Sequence, residues 1–281
     1  MEEVSVIIPT YNRAEYLRRA VESVCRQKHF EGEIIVVDDG STDHSREVIE
    51  KISATQPLRY IRTENKGVGA ARNLGAALAA CPYIAFLDSD DHWVADKLDR
   101  QMRCLAENPH FSISHTGEKW LRRGVFLNQK RIHRPRHGYI FPHCLQLCAV
   151  GMSTVVMSRE LFLESGGFDP ELPCCEDYDL WLRLSFRHHF LLVPEALTVK
   201  EGGRDDQLSK IYGVGMDRYR IYALAKLLQK KGLNSEQRRL ALAELEKKCR
   251  IYGNGCIKHG RPLEGRRYIA LPKKYTTASA K

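Results

Sequence analysis

An apolar run, Tyr83-Ile84-Ala85-Phe86-Leu87, ends in Asp88-Ser89-Asp90-Asp91. A run of that length reads as a buried strand, so three carboxylates stand at a strand exit. In an open parallel α/β sheet that exit is where ligands bind. Carboxylates there can hold a hard divalent cation through oxygen, and the cation can hold a diphosphate. Asp and Ser also favour turns and helix caps, so the cluster taken alone also suits a polar turn. A second acidic group follows the turn Gly166-Gly167-Phe168-Asp169-Pro170. It is Glu176-Asp177-Tyr178-Asp179-Leu180-Trp181-Leu182-Arg183. Carboxylates suit the first turn of a helix electrostatically. One of them can also act as a general base toward an attacking hydroxyl.

Three further loops carry groups of the same kind. In Pro9-Thr10-Tyr11-Asn12-Arg13, a tyrosine beside small polar groups can lie against a base or ribose, while Asn12 can cap a helix. In Asp38-Asp39-Gly40-Ser41-Thr42-Asp43, a carboxylate can accept a hydrogen bond from a pyrimidine ring N–H, or the segment can be a turn with Asp43 as cap. In Asn65-Lys66-Gly67-Val68-Gly69-Ala70-Ala71-Arg72-Asn73, small residues at a helix start let a diphosphate approach backbone N–H groups. Lys66 or Arg72 can add charge-assisted contacts. Gly67 and Gly69 lack the third glycine of a dinucleotide fingerprint, and no P-loop GK[ST] occurs.

The elements that must position these loops alternate regularly. Strands are expected at 4–8, 34–37, 58–61 and 83–87. Helices are expected at 14–27, from about 43, at 68–80 and after 94. This rhythm is that of a parallel sheet covered on both faces. From about 111 to 158 short strands and loops are expected. A helix at 176–187 and a strand at 190–193 follow. Beyond 215 the chain reads as helical: 219–231 ending at Gly232, a helix capped by Asn234 or Ser235 and stopped at Gly253, and a short one from Pro262. The 281 residues, 43% of them hydrophobic, suffice for one large domain with an appendage.

Charge is unevenly placed. Residues 216–281 hold 17 Lys+Arg against 5 Asp+Glu, a balance of +12 within a chain of net +9. Such a tail suits an anionic surface, or a solvated helix face. The nine cysteines are odd in number and form no CxxC pair, so reduced thiols are expected rather than disulfides or structural zinc. No apolar run is long enough to cross a bilayer, and the acidic start Met1-Glu2-Glu3-Val4 is unlike a signal peptide. A cytoplasmic location is therefore the expectation, with the tail available to rest on the inner face of a membrane.

Taken together, the segments 4–12, 34–43, 65–73, 84–91 and 166–183 resemble the family 2 glycosyltransferases, in order and with similar spacings, over roughly residues 4–185. The resemblance implies the GT-A fold: a Rossmann-like mixed sheet with helices on both faces, here with a C-terminal helical extension. It implies a catalytic domain at 1–215, its nucleotide-binding half at about 1–110 and its acceptor half at about 111–215, and a basic extension at 216–281. It also implies a nucleotide-sugar donor, with a uridine diphosphate sugar expected, and a saccharide or lipid-linked acceptor in cell-surface polysaccharide or glycolipid synthesis.

By position, the resemblance implies nucleotide contacts from Pro9, Thr10, Tyr11, Asp39, Arg72, Asp88 and Ser89, with Asp39 meeting the base. Asp90 is implied as direct ligand of Mn²⁺ or Mg²⁺, and Asp88 as meeting ribose or metal-bound water. Asp177 is implied as catalytic base, with Glu176 its neighbour in the "ED" pair. Gly167, Trp181 and Arg204 are carried as acceptor-side or loop residues, Trp181 suiting the core as readily as an acceptor platform. One base without an enzyme nucleophile predicts inversion.

Two departures shape the expectation. The Q/R-x-x-R-W motif and the transmembrane helices of processive members are lacking, so one sugar per encounter is expected. No histidine lies between 190 and 258, which leaves a third protein ligand open and Arg204 placed to meet the diphosphate. Rival readings are weaker. A nucleotidyltransferase would want a glycine-rich basic loop directly after the first strand, and a nucleic-acid-binding protein an aromatic platform or recognised motif.

Overall fold

The structure is a computed structural model and describes residues 3–276. Its strands are β1 (Val4–Thr10), β2 (Gly32–Asp38), β3 (Arg59–Arg62), β4 (Tyr83–Phe86), β5 (His92–Trp93), β6 (Ile113–Arg122), β7 (Val125–Leu127), β8 (Val156–Ser158) and β9 (Leu191–Gly202). The helices are α1 (Ala14–Cys25), α2 (Ser45–Ser53), α3 (Val68–Leu78), α4 (Lys97–Glu107), α5 (Phe141–Gln146), α6 (Arg159–Glu164), α7 (Glu176–Ser185), α8 (Leu208–Ile211), α9 (Met216–Gln229), α10 (Ser235–Lys258), α11 (Pro262–Ala270) and α12 (Lys273–Thr276).

One mixed sheet runs β3-β2-β1-β4-β8-β6-β9-β5, with β7 paired to β6. The first four strands are parallel, and β8 joins β4 antiparallel. β1 is buried along its whole length, as a central strand covered on both faces must be. Val4, Val6 and Ile8 join one core with α1 and α4, while Ile7 joins the other with Phe86 and Trp181. β2 and β3 lie on one side of β1 and β4 on the other. This reversal opens a crevice beyond the carboxyl ends of the strands.

The sequence expectation falls short in two places. Between 111 and 158 the short strands β7 and β8 are present, but β6 is ten residues long, and the strand expected at 190–193 runs on to Gly202 as β9; the two pair in parallel from Ser114↔Leu191 to Arg122↔Gly202. Pro194 would normally end a strand. Here the register shifts around Gly117, where a Cβ would lie 2.9 Å from the Pro194 carbonyl, and the ladder resumes beyond it. In the tail, α10 does not stop at Gly253 but continues to Lys258. Gly253 is there for close approach: a Cβ on it would lie 2.7 Å from the Gly265 carbonyl, so α10 and α11 pack backbone to backbone.

The apolar stripe of α9 and α10 is core. Ile221, Leu224 and Leu228, with Leu245 and Cys249, share one cluster with Trp181 and Phe141. That stripe packs on the core of the sheet domain. No helix among the described residues is long and apolar enough to cross a membrane.

Candidate active site

The crevice is built from the first loop outward. Asn12, at φ 51°, donates its N–H to Ser41 Oγ at 2.9 Å, and its Oδ1 accepts from Thr42 N–H at 2.7 Å. This ties the β1 exit to the β2 exit. Asp43 closes the same junction, accepting from Ala14 N–H at 3.1 Å and Ser45 N–H at 3.0 Å. Tyr11 is left exposed at the rim, while Thr10 is buried and its Oγ1 has no partner.

Asp39 is 5% exposed. Its two carboxylate oxygens accept the N–H groups of Lys66 and Gly67, both at 2.8 Å. Those residues enter α3, so Asp39 sets where that helix begins. Each oxygen keeps a second lone pair for a ligand N–H.

Arg72 then projects from α3 into the crevice. It is buried, and its guanidinium bridges Asp88 and Glu176, each at 2.6 Å. The fork geometry of arginine lets its two terminal nitrogens donate to the two carboxylates at once. Burial disfavours the charge on Asp88, but Arg72, with Lys200, holds its pKa below the ordinary carboxylate range. Burial and the neighbouring Asp177 push Glu176 up to about 7, against the pull of Arg72.

Asp88, Asp90 and Asp91 each offer a ligand oxygen, and these atoms lie within 4.8 Å of one another. Asp91 is the member that the sequence reading left without a role. It is buried, accepts from Ser153 Oγ at 2.7 Å and from Glu201 N–H at 3.1 Å, and is pushed well up in pKa by burial and by Asp90. An all-oxygen set of this kind fits a hard divalent cation. The crowding of like charge, which raises Asp91, is what a bound cation would relieve.

Cations surround the cluster. Arg13 binds Asp90 at 2.8 Å, and Arg204 pairs with the same oxygen while lying 4.7 Å from the centroid of the Tyr16 ring. Arg204 therefore sits at the acidic cluster. Lys200, on β9, is also unforeseen. Burial opposes its charge, but Glu118, Asp91 and Asp88 hold its pKa above the usual lysine value. Ser89 is buried, and Pro9 lies within the buried strand β1.

On the other side, α7 presents Glu176 and Asp177 in its first turn. Asp177 Oδ1 accepts from Tyr178 N–H at 2.7 Å, and its Oδ2 accepts from the Cys148 thiol at 2.9 Å. Burial and Asp177 push that thiol well up, so it stays protonated and donating. Nearby, Glu118 receives Trp120 Nε1–H at 2.6 Å, and its other oxygen is buried without a partner.

The surroundings of two residues carried as acceptor-side or loop are now defined. Trp181 is fully buried, donates to the Val150 carbonyl at 2.9 Å and stands edge-on to Phe190 at 5.9 Å, so its ring is core and no platform. Gly167 packs: a Cβ there would lie 2.5 Å from Asn73 Oδ1, and its carbonyl accepts from Arg183.

A parallel sheet half, an acidic cluster at its carboxyl edge and a carboxylate helix opposite make up a GT-A architecture. The family model described as "Glycosyl transferase family 2" matches residues 5–156, and the chain belongs to that family. It is 37% identical over 211 residues to an uncharacterized glycosyltransferase of Rickettsia felis, covering 74% of this chain and 33% of the relative. The chain thus spans about a third of that relative's length. It is 34% identical over 189 residues to an Escherichia coli protein named UDP-Glc:alpha-D-GlcNAc-diphosphoundecaprenol beta-1,3-glucosyltransferase WfaP, covering 66% of this chain and 70% of that one. Among solved structures it resembles a mannosyltransferase from Pyrobaculum calidifontis in complex with GDP-Man and Mn²⁺. The TM-score is 0.67 at 18% identity, covering 100% of this chain and 76% of that one, a likeness of fold.

Proposed function

We propose that this chain transfers one sugar, with inversion, from a uridine diphosphate sugar to a hydroxyl of a saccharide or lipid-linked acceptor in cell-surface polysaccharide synthesis. The observation that carries this reading is Arg72. One guanidinium ties the donor carboxylate Asp88 to Glu176 on the helix that bears the base. Donor and acceptor chemistry then share a single crevice. The E. coli relative's name, with its UDP-Glc donor and lipid diphosphate acceptor, supports the substrate class.

Asp88, Asp90 and Asp91 would hold Mg²⁺ or Mn²⁺. When bound, that ion supplies positive charge for the departing nucleoside diphosphate. Asp39 accepts the ring N–H of the base, with Thr10 and Tyr11 beside it. Arg13 and Arg204 supply guanidinium groups to the diphosphate. Asp177 takes the proton of the acceptor hydroxyl as its oxygen attacks the anomeric carbon from the opposite face. The bond from that carbon to the diphosphate oxygen breaks, and the nucleoside diphosphate leaves with the electron pair.

The test is a panel of UDP-, dTDP- and GDP-sugars with Mn²⁺, Mg²⁺ or chelator, scored by release of nucleoside diphosphate. UDP-sugar turnover that chelator abolishes is expected. Asp90→Ala should lose Mn²⁺ binding in calorimetry. Asp177→Asn should bind donor normally and lose on the order of a hundredfold or more in turnover. Turnover undiminished by chelator would overturn the metal role, and normal rates in Asp177→Asn would overturn the base.

A further inference from the structure

We propose that the solvent face of α11, with the groove it forms against α9, is a contact surface for an anionic lipid bilayer. The face is amphipathic in an unusual sense. Its inner side is taken up by Gly265, buried against Gly253, with Tyr268 stacked edge-on to Tyr252 at 4.7 Å. Its outer side holds Leu263, Arg266, Arg267 and Ala270, spaced i, i+3, i+4 and i+7, all exposed. Lys273 and Lys274, exposed as well, continue this stripe.

Leu263 is 80% exposed. The carboxylate of α11, Glu264, is engaged by Arg261 at 2.9 Å and Tyr252 at 3.2 Å. Among the described residues no carboxylate pairs with Arg266, Arg267, Lys273 or Lys274. Leu263 and Arg267 also border a groove of about 720 Å³, walled by Tyr222, Ala225, Tyr268 and Leu271.

Unpaired cations and exposed apolar side chains on one face are what an interfacial helix presents. Head-group phosphates meet the guanidinium and ammonium groups, and aliphatic or aromatic side chains enter the head-group boundary. A nucleic acid would satisfy the cations but leave Leu263 and the groove in water. Charge complementarity and apolar exposure together therefore favour the bilayer. The stripe is independent of the sugar-transfer site, so the two readings fail separately.

The experiment is co-sedimentation of the full chain with vesicles of phosphatidylcholine alone, or containing about one-third phosphatidylglycerol. Binding to the anionic vesicles should be at least about tenfold stronger and should weaken with salt. Arg266→Glu with Arg267→Glu should reduce it by more than about tenfold. Leu263→Ser should reduce it severalfold without altering the salt dependence. Should the arginine pair alter the thermal melt, Lys273→Glu with Lys274→Glu takes its place. Equal binding to both vesicle types, no binding, undiminished binding by the charge variants, or tighter binding to a short DNA duplex would each overturn the proposal.

Discussion

The thiol of Cys148 donates to Oδ2 of Asp177 at 2.9 Å, across 29 residues of chain. The other carboxylate oxygen is occupied by the N–H of Tyr178. Both contacts fix the rotation of the carboxylate about its bond to Cβ. In the proposed role of base, Asp177 gains from being held in one orientation before an acceptor hydroxyl arrives.

Removing the thiol should therefore lower turnover more than binding. Cys148→Ala is expected to lose about tenfold in kcat, the worth of one hydrogen bond to a charged group, with donor affinity unchanged. Cys148→Ser keeps a donor on the same stem and should recover most of the rate. Donor hydrolysis and calorimetric donor binding, measured side by side, check this. A loss that Ser does not restore, or that falls on donor affinity, would assign the thiol to packing alone.

Arg72 carries a stability prediction as well. It is 4% exposed and satisfies two carboxylates at once. Arg72→Met would leave Asp88 and Glu176 without their shared cation and should destabilise the fold by about 3–5 kcal/mol. Arg72→Lys supplies a point charge that cannot fork to both, so it should restore only part of that loss. Urea unfolding of the two variants measures the difference, and equal stability of Lys and wild type would contradict the bridging role.

His115 predicts a pH dependence. It lies buried on β6 with Nε2 at 2.9 Å from the Arg136 carbonyl, and burial pushes its pKa down to about 4 from 6.5. The folded value is below the unfolded one, so the unfolded chain binds the proton more readily. The stabilisation is present above pH 6.5 and is lost as pH falls toward 4, by about 1.4 kcal/mol per unit. His115→Gln keeps a donor for Arg136 but does not titrate. Its unfolding free energy should be flatter across that window, and an unchanged slope would contradict the assignment.

The parallel half of the molecule was legible because buried strands leave apolar runs that end abruptly in polar loops. Ile34-Ile35-Val36-Val37 before Asp38 and Asp39, and residues 83–87 before Asp88, have no other reading as simple. The half beyond residue 110 was less legible. β9 passes through Pro194, and only the register shift at Gly117 on its partner lets the ladder continue. Trp181 was ambiguous by type, since a tryptophan on α7, close to Asp177 in sequence, can serve core or ligand. Burial on every side decided for core.

The amino-acid order by itself determined which loops leave the sheet at its carboxyl edge, and so that Asp39, Asp88 and Asp90 stand on one rim. Strand polarity and local alternation are enough for that. Only the tertiary structure decided which distant groups answer them. Arg72 binds Glu176, Cys148 holds Asp177, and Lys200 and Arg204 reach the acidic cluster from β9 and the loop beyond it. Those pairings depend on helix packing and strand register between segments far apart in the chain, and no periodicity within either segment encodes them.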